Sequence, residues 1–255
     1  MARSRHTREQ KRMSCAIKCA DSKVSTAPQP SHRGRNGAAV ARSQRQQHAH
    51  MGFFWGGFFW GGDQIFVPGV HSHGGEIFGL SMRAGIVVYP RLLDPVLSCT
   101  IARYLHEYMA EGYSNVFNPD NKRIQKRIAP DDDVYKYVEA RLVEKGLLRG
   151  RVLSEVNAIS SMAGCGAQPL HCDYEPIAIA KLRIKPLGVL IALTGGTRLN
   201  ICTRHLEVNA GDAIVFAGDV VHGGASYAED NVRIHAYLDV PTHARIANQS
   251  FLHVP

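Results

Sequence analysis

The chain has 255 residues, 45% of them hydrophobic, enough for one sizeable packed domain with extensions. Its formal charge of +8 belongs to residues 1–85, where 12 Lys and Arg face 4 Asp and Glu, whereas residues 86–255 carry 18 of each. That balance removes a global electrostatic case for nucleic acid over the C-terminal two-thirds. Six cysteines without a CxxC pair or a dense framework point to a reducing, intracellular compartment, cytoplasmic or organellar.

Residues 1–50 are rich in Arg, Ser, Gln, Ala and His and hold no apolar period, which predicts disorder. The acid-poor composition also fits an organelle transit peptide, and binding to an anionic partner is a third reading. The opening MARSRHTREQKR has no apolar run of the kind a secretory signal needs. Cys15 and Cys19, four apart, match zinc-site spacings poorly. At 52–62, GFFWGGFFWGG repeats a GFFWG unit. Glycine at this density opposes a helix and the stretch is too short to span a bilayer, so low complexity outweighs a membrane-surface or stacking role. No transmembrane segment is expected, and residues 1–84 are set apart as a basic, low-complexity region.

Folding is expected from residue 85. GIVVYP (85–90) is a β-branched run stopped by proline, hence a strand. Asp94 offers an N-cap with Pro95 at the first helical position, and Val96, Leu97, Ile101, Leu105, Tyr108 and Met109 follow at helical spacing toward Gly112. A second helix fits 131–146, with acidic residues at its start, Gly146 at its end and Val134, Val138 and Leu142 on its apolar face. Residues 85–150 therefore read as a helical support region that buttresses a sheet. NKRIQKR (121–127) reads as a solvated basic face, or as a local phosphate contact.

From residue 151 the pattern becomes short β-rich runs such as RVLSEVNAIS, GVLIALTG, TRLNICTR and NVRIHAYLDV, several of them separated by Gly, Pro, Asn or Asp. No long helix intervenes, so 151–245 is expected to form a mainly β sandwich or barrel, with 246–255 as a tail.

Within QPLHCDYEP (168–176), His171 and Asp173 share one face if the stretch is a strand, and Cys172 takes the other. An imidazole and a carboxylate can then converge on one ion, although an H-x-D triplet alone is weak. GDAIVFAGDVVHGGASY (211–227) adds His222 after an apolar strand. Two histidines and one carboxylate make a facial triad with open positions, suited to non-haem Fe(II) and oxygen. Arg233, eleven residues on, sits among hydrophobic strand residues. Buried unpaired it is expensive, so it needs an anion such as a carboxylate held by its guanidinium. A zinc site from Cys165, His171 and Cys172 is disfavoured by strand alternation. TGGTR and HGG lack the strand-to-helix context of a phosphate loop, and no G-x-S-x-G nucleophile motif occurs.

The ordered set His171-x-Asp173, an apolar GD strand, His222 and Arg233 resembles the Fe(II)- and 2-oxoglutarate-dependent dioxygenases, most closely the prolyl-hydroxylase-like and AlkB-like members. The resemblance covers about residues 150–240. It implies a mainly β double-stranded β-helix, or jelly roll, with supporting N-terminal α-helices. It further implies Fe(II) on His171, Asp173 and His222, 2-oxoglutarate on Arg233 with help from His235, O2 as cosubstrate and ascorbate as a supporting reductant. The implied reaction is hydroxylation or oxidative demethylation with release of succinate and CO2. Asp173 speaks against the related halogenases, which carry a small residue there. Many relatives place a Tyr on the strand before H-x-D, where this chain reads Ser160, Ser161 and Met162. Tyr174 and Glu175 beside the triplet, and Arg198 and Asn200 on TRLNIC, are candidate pocket residues, whereas His205 is expected in solvent. A protein side chain or small molecule is favoured over nucleic acid as substrate. A cupin-like metal-binding or non-enzymatic jelly-roll protein is the alternative.

Overall fold

The structure, a computed structural model, describes residues 11, 13, 14, 16, 17, 85–116, 120–201, 204–246 and 249–252. Two antiparallel sheets dominate. The larger runs in the order β1 (Ile86–Tyr89), β9 (Ala213–Ala217), β6 (Leu187–Ala192), β11 (Asn231–Asp239), β4 (Val152–Ser161), β3 (Arg123–Arg127) and β2 (Ser114–Asn115). The smaller runs β12 (Phe251–Leu252), β5 (His171–Cys172), β10 (His222–Gly224), β7 (Thr197–Ile201) and β8 (Arg204–Val208). This is the mainly β architecture expected from the strand pattern, in the jelly-roll arrangement that the resemblance implies.

Central strands of the larger sheet are covered on both faces. β6 is buried at every position, and its side chains alternate between two cores. Leu187, Val189 and Ile191 join the outer core with Val232, Ile234, Ala236 and Leu238 of β11. Leu190 and Ala192 join the inner one with Ile214, Phe216, Leu199 and Val208. Gly188 also points inward, and a Cβ there would lie 2.5 Å from the Phe216 ring.

Two helices close the outer core. α1 (Pro95–Ala110) begins where Asp94 accepts from Leu97 N at 2.9 Å, with proline at N1, and buries Leu97, Ile101, Leu105 and Met109. α2 (Asp133–Glu144) begins where Asp132 accepts from Val134 N at 2.8 Å and buries Val134, Val138 and Leu142. Tyr104 of α1 donates to Asp132 at 2.7 Å, tying the first helix to the cap of the second. A short α3 (Pro176–Ala180) follows the site loop.

Two features differ from the sequence reading. NKRIQKR is not simply a solvated basic face: residues 123–127 are β3, paired along β4, and Arg123 is fully buried. The pairing explains it, since alternation sends Arg123 inward opposite Ser161. Within residues 1–84, Lys11, Met13, Ser14, Ala16 and Ile17 are helical, and Met13 and Ile17 enter the outer core. The remainder of that region, GFFWGGFFWGG and Cys15 and Cys19 included, lies outside the described residues. Among the described residues no helix is long and apolar enough to cross a membrane.

Candidate metal and anion site

β5 and β10 are neighbours in the smaller sheet, with His171 directly opposite His222. Cross-strand pairing brings the two imidazoles to a centroid distance of 4.7 Å. Asp173 follows β5 and turns its carboxylate between them, 3.9 Å from His171 Nε2 and 3.6 Å from His222 Nε2. One donor atom from each of the three residues lies within 4.8 Å of the other two, a spacing that suits a metal ion.

Hydrogen bonding fixes which atoms face the cluster. His171 Nδ1–H donates to Pro169 O at 2.8 Å and His222 Nδ1–H donates to Val220 O at 2.9 Å. Each Nε2 is then left with a free lone pair aimed at its neighbours, the tautomer a metal requires. Asp173 Oδ2 is buried and has no hydrogen-bond partner among the described residues. Burial alone would raise the Asp173 carboxyl, but the positive charge that His222, His235 and His171 carry when protonated, together with that of Arg245, holds it below the usual range. Burial pushes His222 down, so it stays neutral. A carboxylate and two imidazole Nε2 atoms form a donor set that fits a divalent metal.

Between the two sheets lies an open-mouthed cavity of about 590 Å³ lined by His171, Asp173, His222, Arg233 and His235, among others. Its apolar wall comes from Leu190, Leu199 and Phe216, and its polar wall from β11 and β4. Arg233 is 2% exposed. Its Nη1 donates to Ser161 Oγ at 2.9 Å and Asn231 Oδ1 at 3.2 Å, and its guanidinium lies 5.2 Å from the Tyr227 ring. Arg123 stands behind it and donates from Nε to the same Ser161 Oγ at 3.0 Å and from Nη2 to Ala225 O at 2.6 Å. No carboxylate lies within ion-pair distance of either arginine among the described residues. Burial pushes Arg233 down to about 10, and the charge of Arg123 acts in the same direction. Two buried guanidiniums without a counter-charge among the described residues give this end of the cavity a positive character that suits an anion.

His235 lies on the same face as Arg233 and lines the cavity, but its Nε2 is 3.5 Å from Asp173 Oδ2. Burial pushes it down to about 3. It thus joins the metal end and the arginine end.

The four candidate pocket residues do not line this cavity. Tyr174 is 1% exposed and donates to Asp239 at 2.6 Å, away from the opening. Glu175 is exposed ahead of α3. Arg198 donates to Ser226 O at 2.6 Å, and Asn200 is half-buried opposite His205 of β8. His205 is exposed, as expected. Cys172 Sγ donates to Asp219 O and Cys165 Sγ to Gly166 O, each at 3.5 Å, so these cysteines do not join His171 in a zinc site. The polar wall instead uses Glu155, Asn157, Tyr237 and Arg245, which sequence reasoning passed over. For Glu155 and Asn157 the two-residue alternation with Ile159 and Ser161 was the available signal.

No protein-family model matches the chain, and no curated protein matches it by sequence. Solved structures do match. HygX from Streptomyces hygroscopicus, with nickel and 2-oxoglutarate bound, superposes with a TM-score of 0.50 at 12% identity, covering 63% of this chain and 85% of its own. A Pseudomonas putida prolyl-4-hydroxylase gives 0.44 at 13% identity, covering 61% and 92%. A Trichoplax adhaerens prolyl hydroxylase, in complex with a hypoxia-inducible-factor peptide fragment, gives 0.48 at 13% identity, covering 63% and 86%. At these identities the likeness is one of fold: the chain shares the double-stranded β-helix of HygX, and its His-Asp-His cluster lies between the two sheets of that fold.

Proposed function

We propose that the protein is an oxygenase dependent on Fe(II), 2-oxoglutarate and O2, with His171, Asp173 and His222 holding the metal and Arg233 the far carboxylate of 2-oxoglutarate. One observation carries the reading. A three-residue metal-type cluster and a buried, uncompensated arginine pair line or back the same cavity. A metal alone does not explain the arginines, and an anion site alone does not explain the cluster. The HygX structure, which holds nickel and 2-oxoglutarate in the same fold, supports the combination.

Bound there, iron and 2-oxoglutarate would supply an oxidant for a substrate C–H bond, with succinate and CO2 released. The chain's own contributions are separate. Pro169 O and Val220 O orient the imidazoles. Ser161 and Asn231 hold the Arg233 fork, and Leu190, Leu199 and Phe216 exclude water. His235, held neutral by burial, adds no positive charge beside the metal end. Whether the product is a stable alcohol or collapses by demethylation depends on the substrate carbon.

The test is succinate release from 2-oxoglutarate by the full-length chain with Fe(II), ascorbate and O2. His222→Ala and Asp173→Ala, each confirmed as folded, should lower it at least about 100-fold, more than loss of an outer hydrogen bond costs. Retention of wild-type turnover by both variants would remove the assignment.

A further inference from the structure

Past His235 the cavity holds a second polar cluster that the oxidation chemistry does not use. Inward side chains of β11 and β4 face each other in three steps: Arg233 opposite Ile159, His235 opposite Asn157, and Tyr237 opposite Glu155. Strand rise puts the third step roughly 13 Å from the first. The metal-site carboxylate Asp173 meets the middle step at His235, so the third step is where a second molecule would project beyond the metal.

At that step Arg245 stacks on Tyr237, its guanidinium carbon 3.7 Å from the ring centroid. Arg245 Nη2 donates to Glu155 Oε2 at 2.6 Å, and Asn157 Nδ2 donates to Glu155 Oε1 at 2.8 Å. The Arg245 backbone N–H donates to Asp239 Oδ2 at 3.3 Å, which holds residue 245 against the end of β11. Arg245 and Glu155 side chains are 8% and 15% exposed, and both line the cavity. Arg245 Nε is buried and has no hydrogen-bond partner among the described residues. A buried guanidinium N–H without an acceptor is costly, and it marks the place where a ligand acceptor belongs.

The pairing of opposite charges restricts that ligand. A simple cation on Glu155 would leave the Arg245 Nε–H without an acceptor, and a simple anion on Nε would set a second negative charge beside Glu155 with nothing to offset it. A zwitterion meets both needs. Its carboxylate can accept from Nε and an Nη of Arg245 as a two-pronged bond, and its ammonium can donate to Glu155. Tyr237 holds the guanidinium plane in place for that bond. Leu190, Leu199, Phe216 and Ile159 offer an apolar wall to the remaining carbon skeleton. The cavity of about 590 Å³ is of small-molecule size and must also admit the cosubstrate, so the ligand is of amino-acid size.

We infer that Glu155 and Arg245 form the recognition site for a small zwitterionic substrate, with Glu155 taking its ammonium and Arg245 its carboxylate. As a substrate assignment this rests on the oxygenase reading; as a binding site it stands on its own geometry.

The experiment is thermal unfolding of the full-length chain with each common L-amino acid, and with the same compounds N-acetylated or amidated. It is run without metal and again with Ni(II) and 2-oxoglutarate. At least one free amino acid should raise the Tm by several degrees, and its capped forms should not. The double variant Glu155→Gln/Arg245→Met removes both charges without leaving either alone, so it should fold and lose the response. By calorimetry, affinity for the responding amino acid should fall at least about 10-fold in that variant, as expected for loss of a charge-assisted bond. Equal shifts with capped compounds, a retained response in the double variant, or no response to any free amino acid would each overturn the site. A Ni(II)-dependent shift with 2-oxoglutarate but none with amino acids overturns the zwitterion site alone. An amino-acid shift without one for 2-oxoglutarate upholds the site and removes the oxygenase reading.

Discussion

Ser161 Oγ accepts from both Arg123 and Arg233, so one hydroxyl sets the position of two buried cations. Ser161→Ala leaves two guanidinium N–H groups without that acceptor and should destabilise the fold by about 1–3 kcal/mol. It should also weaken 2-oxoglutarate binding, because Arg233 Nη1 loses one of its two hydrogen-bond acceptors; unchanged stability by urea titration would show that the hydroxyl is dispensable. His235 makes a separate prediction. Its folded value of about 3 lies below the ordinary value of about 6.5, so between these pH values the unfolded chain binds the extra proton. Its contribution is complete above pH about 6.5 and is lost as pH falls. His222 is shifted in the same direction, whereas the lowered Asp173 acts only below its own ordinary range. Metal-free wild type should therefore lose stability between pH 7 and pH 5, and His235→Leu should lose about 2 kcal/mol less over that interval. Equal losses would contradict a neutral buried His235. At this scale, His171 and Asp173 were legible as a pair through strand alternation, and their grouping with His222 and Arg233 came from the resemblance that the order of the four residues carries. Arg123 was not, since a burst of four cations in NKRIQKR looks like solvated surface until its partner strand is known. Arg245 was missed for a related reason: it meets Glu155 across 90 residues of chain, a separation that carries no local signal.

The elements that carry the site divide into those with local signatures and those without. α1 and α2 announce themselves through Asp94–Pro95, the acidic 131–133 cluster and their apolar stripes, and their observed limits differ from the expected ones by a few residues. β5 and β10 are only two and three residues long. Their strand character comes from pairing with each other and with β7, which no periodicity of a three-residue stretch can show. Tertiary pairing likewise decides that Tyr174 turns into the protein to meet Asp239, although H-C-D-Y places it next to the triad. The inner core supports the site through close approach. Phe216 packs 4.4 Å from His222 and 5.9 Å from His235, centroid to centroid, and Gly188 leaves room for its ring. Gly188→Ala should force the ring to move, cost about 1–3 kcal/mol and weaken metal binding through His222. Leu105→Ala, on the outer core, should cost about 2–5 kcal/mol and leave metal affinity per folded molecule unchanged. Equal effects of the two changes on metal affinity would deny the inner core its special link to the site.

At the scale of the whole molecule, the larger sheet separates the outer apolar core from the cavity that holds the His-Asp-His cluster. Helices cover one face, and the smaller sheet faces the other with the metal-type cluster. The basic N-terminal third is not wholly detached from this body, because Met13 and Ile17, four residues apart, occupy the outer core with α1 and α2. Met13→Ala should therefore lower stability by about 2 kcal/mol or more, measurable by urea titration, and no effect would indicate that the segment does not dock. Fold class was readable from the whole pattern of short β runs, while this docking was hidden because its apolar residues are few and surrounded by charge. The central claim is that the metal cluster and the arginine pair form one site for a chelated dicarboxylate. Anaerobic calorimetry of 2-oxoglutarate binding, with and without Fe(II), tests it most directly. Tight binding should require Fe(II), and Arg233→Met should weaken it at least about 10-fold while leaving Fe(II) affinity within a factor of about three. Binding of 2-oxoglutarate that is indifferent both to Fe(II) and to Arg233 would contradict the account.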